Sequence, residues 1–250
     1  MFDTLRYKAV VFDVRDTLLV LDEHYERVLY LKIIREFGRR SGNRYLASFD
    51  QRDLEQLLSM KHWKRREALE RFGLDPDTFQ SLWLSDEALE IRMRHSHLQP
   101  DAHVLRYLKR AGVRIGVVTS SPKRAADVDI GLVKGKIGSR VFDEVVIPSY
   151  EPNLPHKPDP RPVLTCLERL SVRPSEAVGV GSSQRDIIAY RRAGILDVLV
   201  ERRRLAPQDR PEASVVVSNL FELAPILVER GWLSRVLGWG RTDLYRASQA

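Results

Sequence analysis

The stretch Ala9-Val10-Val11-Phe12-Asp13-Val14-Arg15-Asp16-Thr17-Leu18 begins with four apolar residues in a row, without polar alternation. Such a run predicts a short strand covered on both faces, as in a parallel sheet. Asp13 ends the strand, and a carboxylate there projects from the carboxyl edge of the sheet, where open α/β sheets bind ligands. Further runs of the same kind are Val113–Val118, Val145–Ile147, Ala177–Val180, Val198–Val200 and Val215–Val217. Helical spacing separates the later ones. Ala102–Arg110 carries Val104, Leu105 and Leu108 on one face, and Arg161–Leu170 carries Val163, Leu164, Leu167 and Leu170. Asp186–Ala193 and Leu220–Glu229 follow the last strands in the same pattern. This alternation predicts an α/β fold, a doubly wound parallel sheet.

Residues 18–97 break the alternation. Apolar residues recur there at helical spacing over 21–37, Asp53–Met60, His62–Phe72 and Pro76–Met93, with Gly42, Gly73 and Pro76 as punctuation. An all-helical insertion, a cap over the sheet's carboxyl edge, is the expected arrangement. The expected division is an α/β core of residues 1–17 and 98–230, a helical cap of 18–97, and a tail of 231–250. The tail holds Trp232, Leu233, Val236, Leu237 and Trp239. It reads as an amphipathic helix lying on its own core or on a second copy of the chain, which leaves a homodimer open.

The chain has 250 residues, 43% hydrophobic and 30% charged, a globular composition and not a disordered one. No apolar run approaches the ~20 residues of a membrane span, so no membrane partner is expected. The net charge of +7 falls entirely in residues 101–250. Its densest run, Arg202-Arg203-Arg204, has no aromatic residues interleaved, so it reads as a solvated basic face and no nucleic acid is expected. The single cysteine, Cys166, excludes an internal disulfide framework and reads as a small core residue. With no signal-peptide pattern at the N-terminus, the expected location is cytoplasmic.

Four strand ends deliver chemistry to one edge. Asp13 supplies a carboxylate and Thr119 a hydroxyl, with Ser120 beside it. Lys157, in His156-Lys157-Pro158-Asp159-Pro160, supplies an ammonium, and Gly181-Ser182-Ser183 leads to Asp186. A carboxylate nucleophile, a fixed cation and a hydroxyl are what transfer of a phosphoryl group to Asp requires. Thr119 and Ser120 form an anion cradle at the start of the following helix.

In order and spacing these segments resemble the motifs of the haloacid dehalogenase superfamily, the subclass with a helical cap between its first two motifs. Val11 through Leu18 resembles the first motif, Thr119 the second, Lys157-Pro158 the third, and Gly181 through Asp186 the fourth. The resemblance covers roughly residues 8–220 and implies a Rossmann-like core. It also implies Asp13, Thr119 and Lys157 as catalytic residues; Ser120, in the anion cradle, and Arg15, whose charge stands near Asp13, are expected to contact the substrate. Mg²⁺ is the cofactor it implies, with Asp13 and Asp186 as ligands; capping its helix or pairing with Lys157 are the alternatives for Asp186.

The chain departs from the family pattern at two positions. Arg15 stands where the family's phosphatases carry a second Asp that protonates the leaving group, and a guanidinium cannot do this near neutrality. Asp16, beside it, occupies a position usually held by Gly. Ser182 stands where an Asp usually binds Mg²⁺, so a reduced affinity for Mg²⁺ is expected. The leading expectation is a hydrolase of a small anionic, phosphorylated metabolite acting through a covalent aspartyl intermediate at Asp13. A catalytically impaired binding or regulatory protein is the first alternative, and a metal-independent 2-haloacid dehalogenase the second.

Overall fold

The structure, a computed structural model, describes residues 7–58, 70–71, 76–202 and 211–227. Most of the expected helix His62–Phe72, the pair Arg203-Arg204 and the tail 231–250 lie outside the described residues. Eight strands are described: β1 (Ala9–Phe12), β2 (Leu19–Leu21), β3 (Ser96–Leu98), β4 (Arg114–Val118), β5 (Glu144–Val146), β6 (Ala177–Gly181), β7 (Leu196–Val200) and β8 (Val215–Val217). Six form one sheet in the order β5-β4-β1-β6-β7-β8, and every pairing in it is parallel. β1 is central, with Val11 opposite Gly116 on one side and Gly179 on the other. The chain runs from β1 to β4 and β5 on one side and then to β6 on the other. Strand order therefore reverses at β1, which places the ligand crevice at its carboxyl end.

Alternate residues of β1 serve two different cores, because side chains in a strand point to opposite faces. Val10 and Phe12 join Ile115, Val117, Val178 and Val180 beneath α6 (Val104–Arg110) and α7 (Lys123–Ile137). Ala9 and Val11 face the other way, toward α8 (Arg161–Arg169) and α9 (Gln184–Arg192), where Val163, Leu167, Ala189 and Tyr190 are buried. Helices on both faces of a parallel sheet make this the doubly wound fold that the sequence predicts. Cys166 sits in the second core, and burial pushes its thiol up to about 12, so it packs and does not react.

β6 has to admit that second core closely. Tyr190 is fully buried, with its hydroxyl donating to the Val180 carbonyl at 3.1 Å, and a Cβ on Gly179 would fall inside the Tyr190 ring. Gly179→Ala is expected to cost about 1–3 kcal/mol through overpacking, read as a lowered midpoint in urea denaturation.

Residues 21–97 form a separate compact unit. The division falls after Val20 and before Leu98, at the short strands β2 and β3, which form a two-stranded sheet of their own. Its first helix, α1 (Glu23–Ser41), is capped by the Asp22 carboxylate, which accepts from the His24 N–H, and ends at Gly42 in the left-handed region. Leu29, Ile33, Ile34 and Phe37 of α1 pack with Leu46 of α2 (Arg44–Ala47), Leu54 and Leu57 of α3 (Gln51–Leu58), and Leu82. The expected single helix Pro76–Met93 is two, α4 (Pro76–Trp83) and α5 (Asp86–His95). Ser85 separates them: its hydroxyl accepts from the Ala88 N–H, and Asp86 and Glu87 occupy the first turn of α5, a complete start signal. Among the described residues no helix is long and apolar enough to cross a membrane.

Candidate active site

Asp13 follows β1 directly, and its backbone N–H extends the ladder to the Val180 carbonyl at 2.9 Å. The loop beyond it turns tightly. The Val14 carbonyl accepts from the N–H groups of Leu18 and Leu19, and Asp16 N–H donates to the Leu19 carbonyl. Asp16 takes φ 59°, a left-handed conformation that Asp tolerates better than most residues. This is the physical reason an Asp can stand where the family pattern has Gly. Thr17, fully buried, donates its hydroxyl to Asp13 Oδ2 at 3.3 Å.

Lys157 is the centre of the site. Only 4% exposed, it donates to Asp13 Oδ1 at 2.7 Å and to the Val118 carbonyl at 2.7 Å, and pairs with Asp186 Oδ1 at 2.6 Å. An ammonium has three protons, and all three are used. Burial alone would lower its pKa, but the charges of Asp13 and Asp186 outweigh that and raise it. The outer oxygen of Asp186 accepts from the Ser183 N–H at 3.0 Å and the Ser183 hydroxyl at 2.6 Å, closing a capping box at the start of α9. Helix cap and lysine partner are thus both present in this one carboxylate. Asp13 itself, 8% exposed, is pushed up to about 7 by burial and by the nearby Asp186 charge, against the pull of Lys157.

Thr119 is buried after β4, and its hydroxyl accepts from the Ser121 N–H at 3.2 Å. The Ser120 hydroxyl accepts from the Lys157 N–H at 3.2 Å, which ties the two loops together. Asp13, Lys157 and Asp186 are thus in direct contact, and the Thr119–Ser120 loop adjoins them through Val118 and Lys157.

Arg15 is placed differently. Its guanidinium pairs with Asp129 of α7 at 3.3 Å, and Asp129 is only 1% exposed. A buried carboxylate facing a guanidinium neutralises it locally, so Arg15 is no free cation beside Asp13. Asp129 is a residue that sequence reasoning missed, because nothing in a mid-helix Asp reveals a partner so distant in the chain. Arg202 is a second correction. Expected on a solvated face, its side chain is 13% exposed and grips Asp101 with two nitrogens, at 2.6 and 2.9 Å. It also donates to the Thr17 carbonyl at 2.6 Å, so it braces the loop that carries Asp13. A cavity of about 220 Å³ opens beside that loop, lined in part by Asp16, Gln99, Ser182, Ser183 and Arg202.

The residues present do not fit Mg²⁺. That ion needs near-octahedral oxygen ligation at about 2.0–2.1 Å, usually anchored by one or two carboxylates. The two carboxylates that converge here place their inner oxygens on the Lys157 ammonium and the outer oxygen of Asp186 is held by Ser183, which leaves a single carboxylate oxygen, Asp13 Oδ2, facing the site. Ser182 offers only a neutral hydroxyl, which donates to the Arg15 carbonyl at 3.4 Å. Among the described residues no group of three or more His, Cys, Asp or Glu side chains is arranged to hold a metal ion.

Residues 7–194 match the haloacid dehalogenase-like hydrolase family. The chain is 28% identical over 231 residues to the N-acetylmuramic acid 6-phosphate phosphatase of Pseudomonas aeruginosa, covering 89% of this chain and 96% of that protein. It is 36% identical over 118 residues to the pyrophosphatase PpaX of Bacillus velezensis, covering 44% of this chain and 52% of that one. Among solved structures, a HAD phosphatase from Thermococcus onnurineus superposes with a TM-score of 0.62 at 26% identity, covering 88% of this chain and 97% of that one.

Proposed function

Because this chain belongs to the haloacid dehalogenase-like hydrolases, we propose that it releases phosphate from a small phosphorylated metabolite through a covalent intermediate on Asp13. The observation that carries this reading is the asymmetry of the Asp13 carboxylate. Oδ1 is clamped by the Lys157 ammonium at 2.7 Å, whereas the side-chain donor that Oδ2 meets among the described residues, the Thr17 hydroxyl, stands at 3.3 Å. That second contact exceeds the 2.5–3.0 Å of a good O–H···O bond, so Oδ2 is the oxygen available to attack. The phosphatases among the similar proteins support phosphorus as the atom attacked.

The roles follow from the contacts. Lys157 orients the nucleophile and lends positive charge to a site that receives a phosphate dianion. Asp186, capped into α9, holds Lys157 in place. Thr119 and Ser120 border the phosphate position, next to the N-terminus of α7. Asp13 Oδ2 displaces the leaving group from phosphorus, and water then releases phosphate from the aspartyl phosphate. No step here is routed through a divalent cation, because Ser182 offers a neutral hydroxyl and the outer oxygen of Asp186 is held by Ser183.

A carboxylic acid is no nucleophile, so Asp13 must lose its proton to react. With Asp13 pushed up to about 7, kcat/KM is expected to rise as pH increases through 7. The test is inorganic phosphate release from a panel of phosphorylated metabolites between pH 5 and pH 9, with and without chelator. Release that climbs through pH 7 and survives chelation supports the reading. No phosphate from any compound at any pH overturns it.

A further inference from the structure

Among the described residues, the carboxyl groups around Asp13 can be taken one by one for a group that could protonate a leaving oxygen. Asp13 is the nucleophile. Asp186 is fully engaged by Lys157 and Ser183. Asp129 faces the Arg15 guanidinium at 3.3 Å. Asp16, turned by its left-handed backbone, lines the neighbouring cavity with Ser182 and Gln99. Arg15 occupies the position two past the nucleophile, where its guanidinium pairs with Asp129 and has no proton to give near neutrality.

We propose that the substrates are phosphates whose leaving group departs as a stable anion, such as an acyl phosphate, a phosphoanhydride or an aryl phosphate. Alkyl phosphate esters, including a sugar phosphate of the kind named for the Pseudomonas relative, then fall at the slow end. This rests on the phosphatase reading above and narrows it. In the first step the Asp13 Oδ2–P bond forms and the P–O bond to the leaving group breaks. The electron pair goes to that oxygen, which leaves as carboxylate, phosphate or phenolate without taking up a proton. In the second step water attacks phosphorus, the Asp13–P bond breaks, and carboxylate and dihydrogen phosphate result, with both protons of the water on phosphate. The group that would protonate a leaving oxygen would, in reverse, deprotonate this water. Its absence slows the second step too, so leaving-group dependence is to be read in kcat/KM and not in kcat.

The experiment is kcat/KM for a series of ring-substituted phenyl phosphates, with acetyl phosphate and glycerol phosphate at the two ends. A positioned acid is worth about 10²–10⁴-fold, so glycerol phosphate is expected to lag acetyl phosphate by at least that much, with a steep decline across the phenyl series. Asp16→Asn is expected to leave the slope unchanged. The double variant Arg15→Asp/Asp129→Asn is expected to flatten it; the second change removes the carboxylate that would otherwise face the new one. A flat series in the wild-type enzyme, or a slope that steepens only in Asp16→Asn, overturns the proposal and leaves the phosphatase reading standing. If no member of the series is hydrolysed, both fall together.

Discussion

Asp13→Asn is expected to lower phosphate release by about 10⁴-fold or more, the scale of losing a covalent nucleophile, without lowering the stability of the fold. Asn keeps a carbonyl oxygen for the Lys157 ammonium but cannot form the aspartyl phosphate. The stability half of the prediction follows from linkage. Burial and the Asp186 charge push the folded Asp13 up to about 7, well above the ordinary range of an aspartate. A carboxyl raised in this way contributes stability below its unfolded value, and that contribution is lost as pH rises through 7. At pH 8 the wild-type protein therefore carries an ionised carboxylate that burial disfavours, and neutral Asn removes that cost. Lys157 retains Asp186 as its partner in the variant. Urea denaturation at pH 8 should show the variant at least as stable as wild type. An inactive variant that is also much less stable at pH 8 would make Asp13 a structural residue, and a fully active one would end the proposal of a covalent intermediate.

The parallel sheet is legible in the sequence because strands covered on both faces have no polar alternation to maintain. β1 and β4 to β8 all read as short Val-rich runs for that reason. β2 and β3 are three residues each, too short for any periodicity to register. The break between α4 and α5 is hidden by continuous apolar spacing over Pro76–Met93, although Ser85-Asp86-Glu87 carries a full capping signal at its centre. Asp13 and Thr119 directly follow their strands and are placed by local pattern, whereas Lys157, in the proline-bearing loop beyond β5, and Asp186, one turn into α9, are placed by the order of the motifs. What is not legible is pairing across the fold. Arg15 meets Asp129, and Arg202 meets Asp101 and the Thr17 carbonyl, in contacts set only when helix and loop pack on the sheet. A run of three arginines looks the same whether its first member is solvated or buried.

Lys157→Met is expected to destabilise the protein by about 3–5 kcal/mol, the cost of breaking a buried ion pair and leaving charge behind, and to abolish turnover. The ammonium is the donor that holds Asp13 Oδ1, Asp186 Oδ1 and the Val118 carbonyl together. Methionine fills much of its volume but leaves two buried carboxylates facing each other and a carbonyl without its donor. Without the ammonium that pulled its value down, the buried Asp13 beside the Asp186 charge titrates higher still than in the unfolded chain. The sign of the pH dependence then identifies the cause. Groups with raised folded values give their full contribution at low pH and lose it as pH rises. The variant should therefore be closest to wild type near pH 5 and fall away toward pH 8. A second substitution separates charge from packing: Lys157→Met/Asp13→Asn removes one of the two carboxylates and should regain part of the loss at pH 8 while staying inactive. The measurement is urea denaturation of the wild type and both variants at pH 5 and pH 8. A deficit that is the same at both pH values would mean that Lys157 matters for its packing, and that the Asp13–Lys157–Asp186 contacts are not what hold the site in its folded geometry.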